Sequence, residues 1–192
     1  MQDLNPARCA WVSSDRLYID YHDNEWGRPV RDDRVLFEFL ILEFSQAGLS
    51  WITILRKREA YRAAFAGFDP EKVARFGPDR VEALMNDIGI VRNRKKIEAA
   101  VNNAARVLAV KKEFGSLADY LWSFVNNRPV VNNFEHISQV PARSPESEAM
   151  SRDMKRRGFS FAGPTSCYAF MQAVGMVNDH TTDCFRHRQL AI

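Results

Sequence analysis

With 192 residues, 46% of them hydrophobic, the chain is long enough to bury one substantial core. Its 9 glycines and 8 prolines are spread without a repeat, a low-complexity tract or a compositional break, so 1–192 reads as a single domain. A net charge of +3 is too mild to indicate a nucleic-acid partner by itself. Among classes of protein it disfavours only the strongly acidic and strongly basic ones.

No stretch approaches the roughly 18 consecutive apolar residues of a membrane helix, and Met1–Asn5 lacks the opening of a signal segment. A soluble, cytoplasmic protein is the expectation, with no membrane partner. Three cysteines (Cys9, Cys167 and Cys184) are an odd set, which argues against a disulfide framework and leaves thiols to pack or to bind metal.

Helical periodicity dominates the chain. Asp32-Asp33 precede Val35, Leu36, Phe39 and Leu40, predicting a long helix that carries Glu43 within an apolar face. Ser50 is placed to cap the next helix, from Trp51 through Tyr61 and Phe65. Asp69-Pro70-Glu71 sets a cap and an N1 proline before a short helix, and Gly77-Pro78-Asp79 starts another that ends around Gly89. Asn93 caps a longer, alanine-rich helix to about Lys112, and Ser116 opens one through Tyr120 and Trp122.

From Asn126 to Ser144 the asparagines, Pro129 and Pro141 predict a surface loop, in which Val130-Val131 is too short for a strand. Ser144-Pro145 restarts a helix that ends at Gly158, and Pro164 opens a further one, through Cys167 to Val174, closed by Gly175. Between them, Gly158-Phe159-Ser160-Phe161-Ala162-Gly163 forms a glycine-bounded turn. Its exposed amides and the following helix N-terminus can hold a phosphate, although an ordinary helical hairpin fits the same spacing. Three basic runs, at Arg56-Lys57-Arg58, Arg92 to Lys96 and Lys155-Arg156-Arg157, offer phosphate contacts, but each alone reads as a solvated helix face.

Two constellations carry chemistry. His180 and Cys184, four positions apart, project from one side of a helix or close turn, and Cys9 and His22 bring the count to the four ligands of a structural metal site. The spacing is not that of a zinc finger, and buried cysteines beside hydrogen-bonded histidines account for the same residues. A closed Cys2His2 shell would be structural, joining the two ends of the chain and leaving no position for an activated water.

The second constellation places Trp11, Tyr18, Tyr21, Trp26 and Trp51 near Glu43, a carboxyl in an apolar run that is costly to bury without partners. Stacked rings with one acceptor suit a flat heterocycle bearing an exocyclic amine, while core packing remains open as the alternative.

The run Arg8-Cys9-Ala10-Trp11-Val12, followed by Tyr18 and Tyr21-His22-Asp23-Asn24-Glu25-Trp26-Gly27, resembles the opening of the bacterial 3-methyladenine DNA glycosylase I family. Further likenesses follow in order: Leu42-Glu43, the run Gln46-Ala47-Gly48-Leu49-Ser50-Trp51-Ile52-Thr53, Trp122 to Asn126, Lys155 to Phe159, and Val177 to His180. They span nearly the whole chain. The resemblance implies an all-α fold of the helix-hairpin-helix glycosylase superfamily, with the hairpin from Gly158 to Gly163 gripping the DNA backbone. It implies one structural Zn2+ on Cys9, His22, His180 and Cys184.

For the site, the resemblance implies that Glu43 and Tyr21 contact the excised base as the catalytic residues, that Trp51 stacks on it, and that Trp11 and Tyr18 line the pocket. The implied activity is hydrolysis of the N-glycosidic bond of 3-methyladenine in alkylated double-stranded DNA, by base flipping in base excision repair, with the protein acting as a monomer. No motif positions a lysine as a Schiff-base nucleophile, so a monofunctional enzyme is expected. Gly48 and Leu49 are candidates for filling the gap left by the flipped base. Asp179 is read as structural, orienting His180. The chain departs from the family pattern at Ala10, in the tail Phe185-Arg186-His187-Arg188, and at Phe44-Ser45, where the DNA-facing edge of the pocket is expected to differ.

Overall fold

The computed structural model describes residues 6–46 and 48–191; Met1–Asn5, Ala47 and Ile192 lie outside the described residues. The first helix, α1 (Arg16–Asn24), is one that the sequence pattern did not reveal. Its start is set by Asp15, whose side chain accepts from the Leu17 amide at 2.9 Å.

Helix α2 (Asp33–Gln46) begins where expected, with Asp32 accepting from the amides of Arg34 and Val35. Every residue from Leu36 to Ser45 is buried, so α2 is apolar all round and runs through the core. It packs against α3 (Trp51–Ala64), α6 (Arg94–Phe114), α7 (Leu117–Trp122) and α9 (Pro164–Ala173). The buried Glu38 of α2 takes ion pairs from Arg58 and Arg62 of α3, and Arg58 also reaches Glu25 at 2.5 Å, tying α1, α2 and α3 together. Phe44 and Ser45 face this interior, so the departure from the family pattern there lies in the core and not at the pocket edge.

Most caps behave as the sequence predicts. Asp69 accepts from two amides at the start of α4 (Pro70–Val73), Asn93 caps α6, Ser116 caps α7, and Ser144 exchanges bonds with Ser147 at the start of α8 (Pro145–Arg156). Ser50 occupies the cap position of α3, but its hydroxyl pairs with the Thr53 hydroxyl at 2.7 Å instead of a backbone amide. Helix α5 (Pro78–Met85) stops short of Gly89 because the Asn86 and Asp87 amides already turn back onto Ala83 and Leu84.

Val130-Val131 corrects the loop expectation. β1 (Val130–Val131) pairs in parallel with β2 (Val177–Asn178), with Val130 opposite Val177. Two residues carry no readable period; the partner, distant in sequence, decides the conformation. Cys184 precedes α10 (Phe185–Leu190), a helix in the tail that the pattern also did not reveal. The basic runs are partly consumed by internal pairs: Arg58 as above, Arg94 with Glu82, and Arg157 with both Glu113 and Asp153.

Candidate functional site

A cleft of about 430 Å3 opens between α1, the C-terminal end of α2, the start of α3 and one face of α9. Tyr18 and Tyr21 reach it from one face of α1, and Glu43 and Gln46 from one face of α2, in both cases by i, i+3 spacing. Trp11 and Trp51 complete the ring wall, with Tyr21 and Trp51 5.5 Å apart between centroids and Trp11 and Tyr18 5.1 Å apart. All five residues that the resemblance assigned to the base pocket therefore meet in one cavity, as does Trp26.

Glu43 is 6% exposed and has no hydrogen bond or ion pair among the described residues. Burial alone pushes its carboxyl up to about 8, so at neutral pH it is mostly protonated. Burial and the nearby Glu43 also hold the Tyr21 hydroxyl well above the usual phenol range. The buried Trp51 Nε1 has no acceptor among the described residues. Glu38, one and a half turns earlier on the same helix, shows the contrast, because it is buried to the same degree yet paired to two arginines. Polar groups left without partners inside a cavity are groups available to a ligand.

The opposite wall was not read from the sequence. Thr165, Tyr168, Ala169 and Gln172 of α9 face the cleft at i, i+3, i+4, i+7 spacing, a stripe that periodicity could have found. Ile137, Val140, Pro141 and Ala142, from the irregular segment, carry no such signal. Asp179 also lines the cleft, and its carboxylate accepts from Asn132 (2.7 Å), Tyr168 (2.6 Å) and Gln172 (2.8 Å). The expectation that it orients His180 is therefore corrected: the ring nitrogen of His180 bonds the Trp26 carbonyl instead, at 3.2 Å.

Gly48 and Leu49 lie in the turn between α2 and α3, next to Gln46 and Trp51 of the cleft. Gly48 adopts φ +81°, Leu49 is 39% exposed, and Ala47 of the same motif lies outside the described residues. Gly158 and Gly163 bound the turn between α8 and α9. Gly158 has φ +83°, and Asn103 of α6 pins the turn by bonding both the amide and the carbonyl of Ser160, at 2.8 and 3.0 Å. Phe161, at the tip, is 38% exposed with φ +59°.

Behind the ring wall, Cys9, His22, His180 and Cys184 come together fully buried, their ligand atoms all within 4.8 Å of one another. Cys184 Sγ lies 3.5 Å from His22 Nε2 and 3.4 Å from His180 Nδ1, which in turn is 3.4 Å from Cys9 Sγ. His180 and Cys184 are joined by a turn and not by a helix, the Cys184 amide donating to the Thr181 carbonyl. The outward nitrogen of each histidine is engaged. His22 Nδ1 meets Asp23 at 2.7 Å, and Asp23 is held by Arg8; His180 Nε2 meets the Trp26 carbonyl. This leaves an imidazole lone pair of each ring turned toward the sulfurs. The neighbouring Cys184 thiol and burial push the Cys9 thiol up, while Cys9 and the two imidazoles pull that of Cys184 well down. Gly27 permits the close approach: it has φ +78°, and a Cβ there would lie 2.9 Å from His180 Nε2. The cluster and the cleft share a wall, since Trp11 and Trp26 contact His22 and Trp26 contacts His180 edge-on at 4.5 Å.

The methyladenine glycosylase family matches residues 11–187. The chain is 50% identical to the DNA-3-methyladenine glycosylase of Haemophilus influenzae over 178 residues, covering 93% of this chain and 96% of that one. It is 51% identical to DNA-3-methyladenine glycosylase 1 of Escherichia coli over 177 residues, covering 92% and 95%. Among solved structures, a 3-methyladenine DNA glycosylase I superposes with a TM-score of 0.91 at 51% identity, covering 93% of this chain and 98% of that one. The 3-methyladenine DNA glycosylase I of Staphylococcus aureus, described for its recognition of 3-methyladenine, superposes with a TM-score of 0.90 at 42% identity, covering 93% and 95%. By sequence, fold and the convergence of its site residues, the chain belongs to the methyladenine glycosylase family.

Proposed function

We propose that this protein is a monofunctional DNA glycosylase that releases 3-methyladenine from alkylated double-stranded DNA in base excision repair. The observation that carries the reading is the buried, unpartnered Glu43 in a ring-lined cleft. The names of the 50% and 51% identical relatives supply the substrate. An adenine alkylated at N3 is cationic. When its glycosidic bond breaks, the bonding pair passes into the ring and neutralises it, water adds hydroxide to C1′, and the remaining proton leaves to solvent. The enzyme's work is to extrude the nucleotide, which costs least for a damaged base, and to bind the departing purine.

In this scheme Trp51 stacks on the base, Tyr21 and Glu43 meet its polar edge, and Trp11 and Tyr18 close the sides. Entry of the cation draws the Glu43 proton off, because an opposite charge favours the ionised carboxylate. Leu49, exposed on its turn beside the cleft, fills the gap in the duplex with Gly48 giving the turn its shape, and the hairpin from Gly158 to Gly163 holds the backbone phosphate. The protein acts as a single domain and a monomer in the cytoplasm. Among the described residues no helix is long and apolar enough to cross a membrane.

The Cys2His2 set fits zinc. A tetrahedron with Zn–S near 2.3 Å and Zn–N near 2.0–2.1 Å places ligand atoms about 3.3–3.8 Å apart; three of the six separations are 3.4, 3.4 and 3.5 Å, and the whole set lies within 4.8 Å. Bound there, one ion would fix the N-terminal segment to the C-terminal turn and, through Trp11 and Trp26, hold the ring wall.

Chromatography of bases released from methylated DNA tests the reading. Free 3-methyladenine should appear while the strands stay intact until alkali is added. A protein that binds methylated DNA yet releases no base would be a recognition module, and nicks formed before alkali would exclude the monofunctional scheme.

A further inference from the structure

Of the three basic runs, the one at the start of α6 has no part in the functional reading above. Two of its cations are engaged within the fold: Arg94 pairs with Glu82 at 2.5 Å, and Lys96 donates to the Ser45 carbonyl at 2.8 Å, at the end of α2. Arg92 and Lys95 are exposed and enter no ion pair among the described residues. Lys95 begins a stripe with Ala99, Asn102 and Arg106, whose i, i+4, i+7, i+11 spacing keeps them on one face of the helix.

That face carries the hairpin. Asn102 donates to the Gly158 carbonyl at 2.8 Å and to the Ser160 hydroxyl at 3.2 Å, beside the two bonds that Asn103 makes to the Ser160 backbone. Arg106 is exposed and lies over Gly158, where a Cβ would meet its side chain at 3.6 Å. It too has no ion pair among the described residues. Lys95, Ala99, Asn102, Ser160 and Phe161 line an open groove of about 340 Å3, together with Glu98. The small Ala99 leaves the middle of this groove hollow.

The other flank of the hairpin differs. On α8, Arg156 and Arg157 are both held by Asp153, and Arg157 also by Glu113, which leaves Lys155 of that run without an ion pair among the described residues. Two unneutralised cations thus reach the hairpin from a distant helix, against one from the basic run beside it in sequence. Through Lys96, the start of the same helix is fastened to the end of α2, just before the turn that carries Gly48 and Leu49.

We propose that this stripe of α6, Lys95 and Arg106 with Arg92 before them, is a contact surface for the backbone phosphates of duplex DNA, running from the Gly48-Leu49 turn to the hairpin. It rests on the functional reading above and adds the surface that holds the strand between those two loops. Lys95 and Arg106 stand about 16 Å apart along the helix axis, so they meet different phosphates. The contact is electrostatic: it sets affinity for the duplex whether or not a base is damaged, and it takes no part in the cleft. Glu98, between them, repels the same phosphates.

Fluorescence anisotropy of a labelled, undamaged duplex, titrated with the full chain over a range of salt concentrations, tests this. Lys95→Gln and Arg106→Gln should each weaken binding by about fivefold at low salt and lower the slope of log affinity against log salt by about 1, and the double variant should lower it by about 2. Glu98→Gln should strengthen binding. Lys112→Gln makes the same change of charge on another face of α6 and should keep the wild-type slope. Binding of free 3-methyladenine, followed by tryptophan fluorescence, and the rate of base release at saturating enzyme should be unchanged in every variant, whereas a structural defect would move both. A double variant with the wild-type slope overturns the proposal, as does a loss in Lys112→Gln as large as that in Lys95→Gln. Base release by wild type with no dependence of the slope on Lys95 and Arg106 removes only this surface. A wild type that neither binds the duplex nor releases 3-methyladenine removes the functional reading with it.

Discussion

The Cys2His2 cluster and the aromatic cleft lie back to back, sharing Trp11 and Trp26, and both bury polar groups, yet they treat those groups in opposite ways. In the cluster each ligand atom meets another, and each outward imidazole nitrogen has an acceptor. In the cleft, Glu43 and the Trp51 indole have no hydrogen-bond partner among the described residues. Saturated polar groups stabilise a fold, while unsaturated ones cost stability and await a ligand. The difference separates a region whose polar groups are satisfied within the fold from one whose polar groups are available to a ligand.

Removing a cluster ligand should have the largest effect. Cys184→Ser is expected to abolish stoichiometric metal and to lower stability by about 4–5 kcal/mol, a fall in Tm of about 10 °C or more for a chain of this size. Calorimetry with metal analysis checks it, and a variant as stable as wild type would dissolve the contrast between the two regions.

Substitution in the cleft should act with opposite signs on stability and activity. The Glu43 carboxyl stands at about 8 against an ordinary 4.5, so between those values the folded protein keeps a proton that the unfolded chain has released. The resulting stability is fully present below 4.5 and is lost as pH rises through about 8, by at most about 5 kcal/mol. Glu43→Gln removes this dependence. Relative to wild type its Tm should rise, more in alkaline than in acidic buffer, while release of 3-methyladenine falls by about 10- to 100-fold.

Asp23→Asn should weaken metal affinity by about 10- to 100-fold, because it loosens the hold on His22 Nδ1. Competition with a chelator measures this, and an unchanged affinity would show that His22 is oriented by packing alone. The smallest effect is expected for Trp51→Phe. The lost indole N–H has no partner among the described residues, so stability should change by less than about 1 kcal/mol, whereas binding of 3-methyladenine should weaken by about fivefold.

Legibility in the sequence followed the range of the interactions. Caps at Asp69, Asn93, Ser116 and Ser144 act within three residues of themselves and were readable; Ser50 failed because a neighbouring hydroxyl competed for its own. The four cluster residues were visible as a ligand count but not as a site, since 171 positions separate Cys9 from His180. Resemblance, not spacing, joined them. Asp179 was misassigned for the same reason: its neighbour in sequence belongs to the Cys2His2 cluster, but its partners come from α9 and from the residue after β1.

What the sequence determined by itself is the helical character of the chain, the apolar continuity of α2, and the residue types able to bind metal or a flat base. These follow from local propensity and short-period patterning. Only the tertiary structure decided that Glu38 would be paired and Glu43 left bare on one helix, that Val130-Val131 would find a strand, and that Asp179 would face the cleft. Each of those outcomes depends on which distant element lies opposite, and pairing across space leaves no period in the chain.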